Sequence, residues 1–209
     1  MKDQEILSAY SDYVLEHNAR PHTIAAFAKK LGINESDIYK YYTSFERIEA
    51  EIFKSFIDNA IELTHKSAED SEDQDSKSAV LTFYFTLAEV LKENRSLVVF
   101  MLPRDRTSIS KIQVLKSAKS SFIHFLQMLD LDTPALSFIP DQKVKEKAFE
   151  TGAWIQFCSI LTYWLKDHSA DFEKTDIFIE KSLKLSFDFS ESNVVESMID
   201  LGKFIFGKS

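Results

Sequence analysis

The sequence predicts an all-helical protein, on three observations. Turn-forming residues are scarce: four Gly and four Pro in 209 residues, where sheets of short strands need many. Apolar residues recur at spacings of three and four along most of the chain, which is the period of a helix face. The segments so patterned are bounded by residues that start and stop helices. Apolar residues reach 44% and charged residues 28%, so the chain can bury a core and is not disordered.

The elements follow in order. Residues 3–17 form a first helix, with Ile6, Leu7, Tyr10, Tyr13 and Val14 as its apolar stripe. Asn18 to His22 break it. Thr23 caps a short second helix carrying Ile24, Phe27, Ala28 and Leu31, and Gly32 stands where a helix end favours a left-handed residue. Asn34 caps a third, about 35–42, with acid in its first turn and Ile38, Tyr41 and Tyr42 along it. A fourth runs from near Ser44 to about His65. Residues 67–77, SAEDSEDQDSK, hold five acids and read as a solvated loop. Residues 78–93 are apolar on most sides and predict a buried helix. A short helix over 95–102 stops before Pro103, and a long one spans about 108–130. Pro134 and Pro140 bracket a loop. Asp141 opens a second long helix to about 167, Thr175 caps the next to about 188, and Ser190 caps the last to about 206. The run Arg104 to Lys119, with five basic residues and one acid, reads as a solvated face.

Composition also excludes functions. One cysteine, Cys158, rules out a disulfide framework, a Cys-based zinc site and a Cys-ligated cluster, and a lone thiol suits a reducing compartment. The N-terminal segment lacks a signal core. The longest charge-free apolar stretch, Thr151 to Leu165, falls short of the roughly 20 residues of a membrane span. The expectation is a soluble, cytoplasmic protein without a membrane span. His17, His22, His65, His124 and His168 are scattered, and no glycine-rich phosphate loop, nucleophile elbow or His-Glu-x-x-His occurs. An enzyme is not expected, nor a cofactor or metal.

Thr23 to Ile48 reads TIAAFAKKLGINESDIYKYYTSFERI. Two short helices flank the turn Leu31-Gly32-Ile33-Asn34. Ala28 lets them cross closely, Gly32 makes the turn and Ile33 fills the space between them, which is the packing of a helix-turn-helix. The segment resembles the N-terminal DNA-binding domain of the TetR (tetracycline-repressor) family. Thr23, Phe27-Ala28, Gly32-Ile33, Ile38-Tyr39 and Tyr41-Tyr42 carry the resemblance, and Ser44, Glu46 and Ile48 match the opening of the family's linking helix.

The resemblance implies an architecture: a helix-turn-helix domain over 1–48 and a larger helical domain over 49–209 that binds a ligand and dimerises. Thr23 and Tyr39 would meet phosphate, while Glu35, Ser36, Lys40 and Tyr41 would face base edges. The partners implied are double-stranded operator DNA, a small apolar or aromatic effector and a second copy of the chain. Two departures stand out: Phe45 where the family commonly has Lys, and Asp37 where it often has Thr. Net charge is −8 overall, and over residues 1–66 eight Lys and Arg face eleven Asp and Glu, or −3. Arg20, Lys29, Lys30, Lys40, Arg47 and His22 supply a local basic patch. The alternative is a protein of the same fold that binds lipid or another small molecule and has lost DNA.

Residues 148–165 are apolar nearly all round, and Gly152, Ala153 and Ser159 permit close helix approach. With 175–188 this segment predicts a four-helix dimer interface. Most aromatics are core. Phe83, Phe122, Phe125, Trp154 and Phe157 are the candidates for an apolar effector pocket.

Overall fold

The computed structural model describes residues 3–69, 75–102, 113–129, 131, 136–137 and 139–191. The described elements are α1 (Asp3–His17), α2 (Ile24–Lys30), α3 (Glu35–Tyr39), α4 (Phe45–Glu69), α5 (Ser76–Glu93), α6 (Arg95–Met101), α7 (Leu115–Met128), α8 (Gln142–Lys166) and α9 (Glu173–Glu191), with a 3-10 turn at Ala170–Phe172. Among the described residues there is no strand. The chain forms two compact units. One takes its residues from 1–66 and 86–122, the other from 67–85 and 123–209.

In the first unit, α1 buries Ile6, Tyr10 and Val14. The Thr23 side chain accepts the Ala26 N–H at 3.0 Å and so caps α2. Gly32 adopts φ +70°, the left-handed conformation that ends a helix and that glycine reaches without strain. Its N–H and that of Ile33 return to Lys29 and Ala28 carbonyls at 3.2 and 3.1 Å. Ile38, Ile48, Phe53 and Ile57 complete this core.

In the second unit, α8 buries Trp154, Phe157, Cys158, Ile160, Leu161, Trp164 and Leu165. Asp141 caps α8 by accepting the Val144 N–H at 3.1 Å. α9 folds back along α8, where Phe178 stacks on Tyr163 at 4.3 Å between ring centroids.

Several boundaries differ from the sequence expectation. α3 ends at Tyr39, not near 42. The Tyr41 and Tyr42 N–H groups both donate to the Ile38 carbonyl at 2.9 Å, which closes the helix as a turn. Tyr42 turns inward, and its hydroxyl bonds to Asp3. α4 runs four residues past His65, and its last turn is laced by a Glu62–Lys66 pair at 2.6 Å. α5 opens at Ser76, because the Asp75 carboxylate accepts the Ser78 N–H at 2.6 Å and caps it. The acidic loop is therefore shorter than 67–77, and its centre, 70–74, lies outside the described residues. α7 begins at Leu115, after a turn at Gln113–Val114. Residues 103–112, with most of the basic run, lie outside the described residues, as does Pro134.

Thr175 does not cap α9. The helix starts two residues earlier, and Asp167 does the capping from outside it. The buried Asp167 carboxylate accepts from Thr175 N at 2.9 Å, Thr175 Oγ1 at 2.7 Å, Ser169 N at 2.8 Å and Ser169 Oγ at 2.7 Å. Ser190 does not start a new helix either, since α9 continues through it to Glu191. The remainder of the expected last helix lies outside the described residues.

Candidate nucleic-acid interface

The first four helices carry the residues that the sequence marks for DNA. Thr23 sits exposed at the start of α2. Glu35, Ser36, Tyr39, Lys40 and Tyr41 are exposed on or just after α3, and Tyr41 keeps 50% of its surface. These five therefore share one short segment, and the α2–α3 turn fixes it against α2.

The segment arrives with its charges already paired. Lys40 Nζ lies 2.7 Å from Asp37 Oδ1, and Asp37 Oδ2 accepts the Asn34 N–H at 3.3 Å. The bond from Lys40, then that from Asn34, holds the Asp37 carboxyl below the usual carboxylate range, and the same pair pushes the Lys40 ammonium up. The Tyr39 hydroxyl donates to Glu35 at 2.9 Å, one turn back, which raises its pKa. Asp37 is thus half of a pair and a cap for α3, not an isolated carboxylate aimed outward.

Of the candidate basic patch, Arg20, Lys30 and Lys40 are held by acids. Lys30 lies 3.2 Å from Glu16 and 4.5 Å from the centre of the Tyr13 ring. Arg20 is gripped by Glu46 at 2.6 Å and Glu49 at 2.6 Å. Lys29, Arg47 and His22 are exposed. Phe45, in the place of the family's lysine, stacks on Tyr10 at 5.4 Å and meets Phe27 edge-on at 6.1 Å. That position has become part of the core joining α1, α2 and α4.

Sequence reasoning missed Glu49. Its side chain has no exposed surface, and it accepts from the Tyr10 hydroxyl at 2.7 Å and from Arg20 Nε at 2.8 Å. A signal existed: Glu49 falls on the apolar stripe of Ile48, Ile52, Phe53 and Phe56 at helical spacing.

The effector candidates fall into two groups. Phe122 is buried in the first unit. In the second, Trp154 stacks on Phe157 at 5.0 Å and Phe83 lies over Phe125 at 4.9 Å. Tyr84 joins the two pairs, at 6.4 Å from Phe157 and 5.3 Å from Phe83. Four of the five thus form one buried aromatic ladder, with Tyr84 as the rung the sequence did not single out. No group of three His, Cys, Asp or Glu among the described residues could hold a metal ion. No described helix is long and apolar enough to cross a membrane.

Comparison with known families bears on the other end of the chain. Residues 79–205 match the family model described as the tetracyclin repressor-like C-terminal domain. The chain belongs to the tetracycline repressor-like family. The match covers well over half of the chain and lies wholly outside Thr23–Ile48, so it is independent of the N-terminal resemblance. Among solved structures, this tetracycline repressor-like chain is similar to the fatty acid degradation regulator FadR from Bacillus halodurans. The TM-score is 0.52 at 16% identity, over 88% of this chain and 97% of that one. No curated protein matches the sequence. A transcriptional-regulator fold of all-helical class is therefore established for the chain.

Proposed function

We propose that the protein is a ligand-responsive transcriptional repressor that binds operator DNA as a homodimer. Residues 1–48 are its reading domain, and residues 49–209 bind the effector and dimerise. The observation that carries this reading is the α2–α3 unit: a capped α2, a left-handed Gly32 and an exposed segment, Glu35–Tyr41, on a chain of the repressor-like family. Lys40 and Tyr41 face base edges in the major groove, while Thr23 and Tyr39 meet phosphate. Glu35 accepts from a cytosine amino group. Two copies read half-sites about 34–36 Å apart. An apolar effector seated along the aromatic ladder shifts the spacing of the two heads, and the operator is released. The likeness in fold to a regulator of fatty acid degradation, together with the apolar ladder, favours an apolar effector over a polar one.

A second reading has its own observations. The head is net acidic, three of its basic residues are paired, and Phe45 stands where a phosphate-contacting lysine would. These favour a protein that retains the fold and the apolar ligand without DNA.

One titration separates the two. Purified protein is titrated against DNA from its own upstream region at about 50 and 200 mM salt, beside the Lys40→Ala/Tyr41→Ala double variant. Specific binding that weakens steeply with salt, and that the double variant loses while remaining dimeric, supports the repressor. No binding by a folded dimer at low salt rejects it. Binding that survives the double substitution rejects the segment Glu35–Tyr41 as the reading surface.

A further inference from the structure

Glu49 has no exposed surface, yet it carries a carboxylate. Its two oxygens take three hydrogen bonds: Tyr10 Oη at 2.7 Å and Arg20 Nε at 2.8 Å on Oε1, and Arg20 Nη2 at 2.6 Å on Oε2. The Arg20 fork is completed by Nη1 on Glu46 at 2.6 Å. The partners come from three places: Tyr10 from α1, Arg20 from the connection into α2, and Glu46 and Glu49 from the first turns of α4.

A buried ion pair is a poor stabiliser, because apolar residues of like volume serve as well. What a bidentate guanidinium–carboxylate pair adds is direction. Here the direction matters, because Arg20 lies three residues before Thr23, the cap of α2, and α2 carries the turn into α3. We infer that Glu49 is a positioning residue: through Arg20 and Tyr10 it ties the entry of α2, and with it the α2–α3 reading segment, to the long helix α4. Phe45, one turn earlier, stacks on Tyr10 and gives the same joint its apolar half. Arg20 belongs to this joint, with its Nε, Nη1 and Nη2 all turned to Glu49 and Glu46. The consequence for DNA rests on the function proposed above; the geometric statement does not.

The test measures a distance first. Spin labels are placed at Ala25 on α2 and Glu62 on α4, both exposed, in a Cys158→Ala background. Labelled protein is diluted with unlabelled protein so that each dimer carries one labelled copy. The unmodified joint gives one narrow distance distribution. Glu49→Gln broadens it, Arg20→Gln broadens it in the same way, and Glu46→Gln, on the half-exposed arm, leaves it narrow. Should Glu49→Gln fail to fold, Arg20→Gln alone decides. On DNA from the upstream region, Glu49→Gln lowers specific affinity at least about tenfold, as expected when each head is in place only a fraction of the time. Binding to unrelated DNA changes less than about twofold, since phosphate contacts tolerate a loose head. A distribution as narrow in Glu49→Gln and Arg20→Gln as in the unmodified protein overturns the inference. Absence of DNA binding by the unmodified protein overturns the proposed function, and the distances still decide the inference.

Discussion

At the scale of single residues, carboxylates in this chain do unlike things according to what surrounds them. Asp167 is the sharpest case. Burial pushes its carboxyl up, but four hydrogen bonds from Ser169 and Thr175 outweigh burial and hold it at about 2, against 3.8 unperturbed. A carboxyl depressed in the folded state binds protons more weakly there than in the unfolded chain. Its contribution is whole above pH 4 and is lost as pH falls toward 2, a loss of about 2 kcal/mol. Urea unfolding between pH 4 and 2 should show that decline in the unmodified protein and not in Asp167→Asn. Asp167→Ala should lose about 3 kcal/mol at pH 7, because it leaves backbone donors at the start of α9 unpaired. An acid decline of the same size in Asp167→Asn would place the titrating group elsewhere.

At the scale of elements, what was legible in the sequence followed from local rules. The cap at Thr23, the left-handed Gly32, the cap at Asp141 and the extents of α1 and α6 each depend on a few neighbouring residues, and each stands as read. The misplaced boundaries depend on partners farther along the chain. Thr175 has the chemistry of a cap, yet Asp167, eight residues away, takes that role, and two left-handed residues, Asp171 and Phe172, make the turn between them. Local composition could not show that α3 stops where Tyr42 is drawn to Asp3. The same limit applied to the reading segment: its residue types were visible, its internal pairing was not. That pairing makes Asp37 a testable brake. Asp37→Thr frees Lys40 for a base edge and removes a carboxylate from beside the DNA, so affinity for operator DNA at low salt should rise several-fold. An unchanged affinity would mean that Lys40 does not reach the DNA.

At the scale of the whole molecule, α8 and α9 present a face that is exposed among the described residues. Along α8, Thr151, Gly152, Ile155 and Ser159 are exposed at helical spacing, with Ile155 keeping 59% of its surface. A Cβ added at Gly152 would meet nothing within 4 Å. On α9, Ile177 and Leu185 stand out, Leu185 at 70%. Apolar and small residues on two adjacent helices suit a two-fold contact, where one patch meets its own copy and every substitution enters twice. Ile155→Glu would set two carboxylates into that contact, and burying them unpaired is far costlier than the methyl groups they replace. Sedimentation should then find dimer for the unmodified protein and monomer for Ile155→Glu, with helical content unchanged because the position is exposed among the described residues. Leu15→Glu, at an equally exposed apolar position on α1, should stay dimeric. A dimeric Ile155→Glu would exclude this face of α8. A monomer that also loses specific DNA binding, with its reading helix untouched, would show that two joined heads are needed to hold one operator.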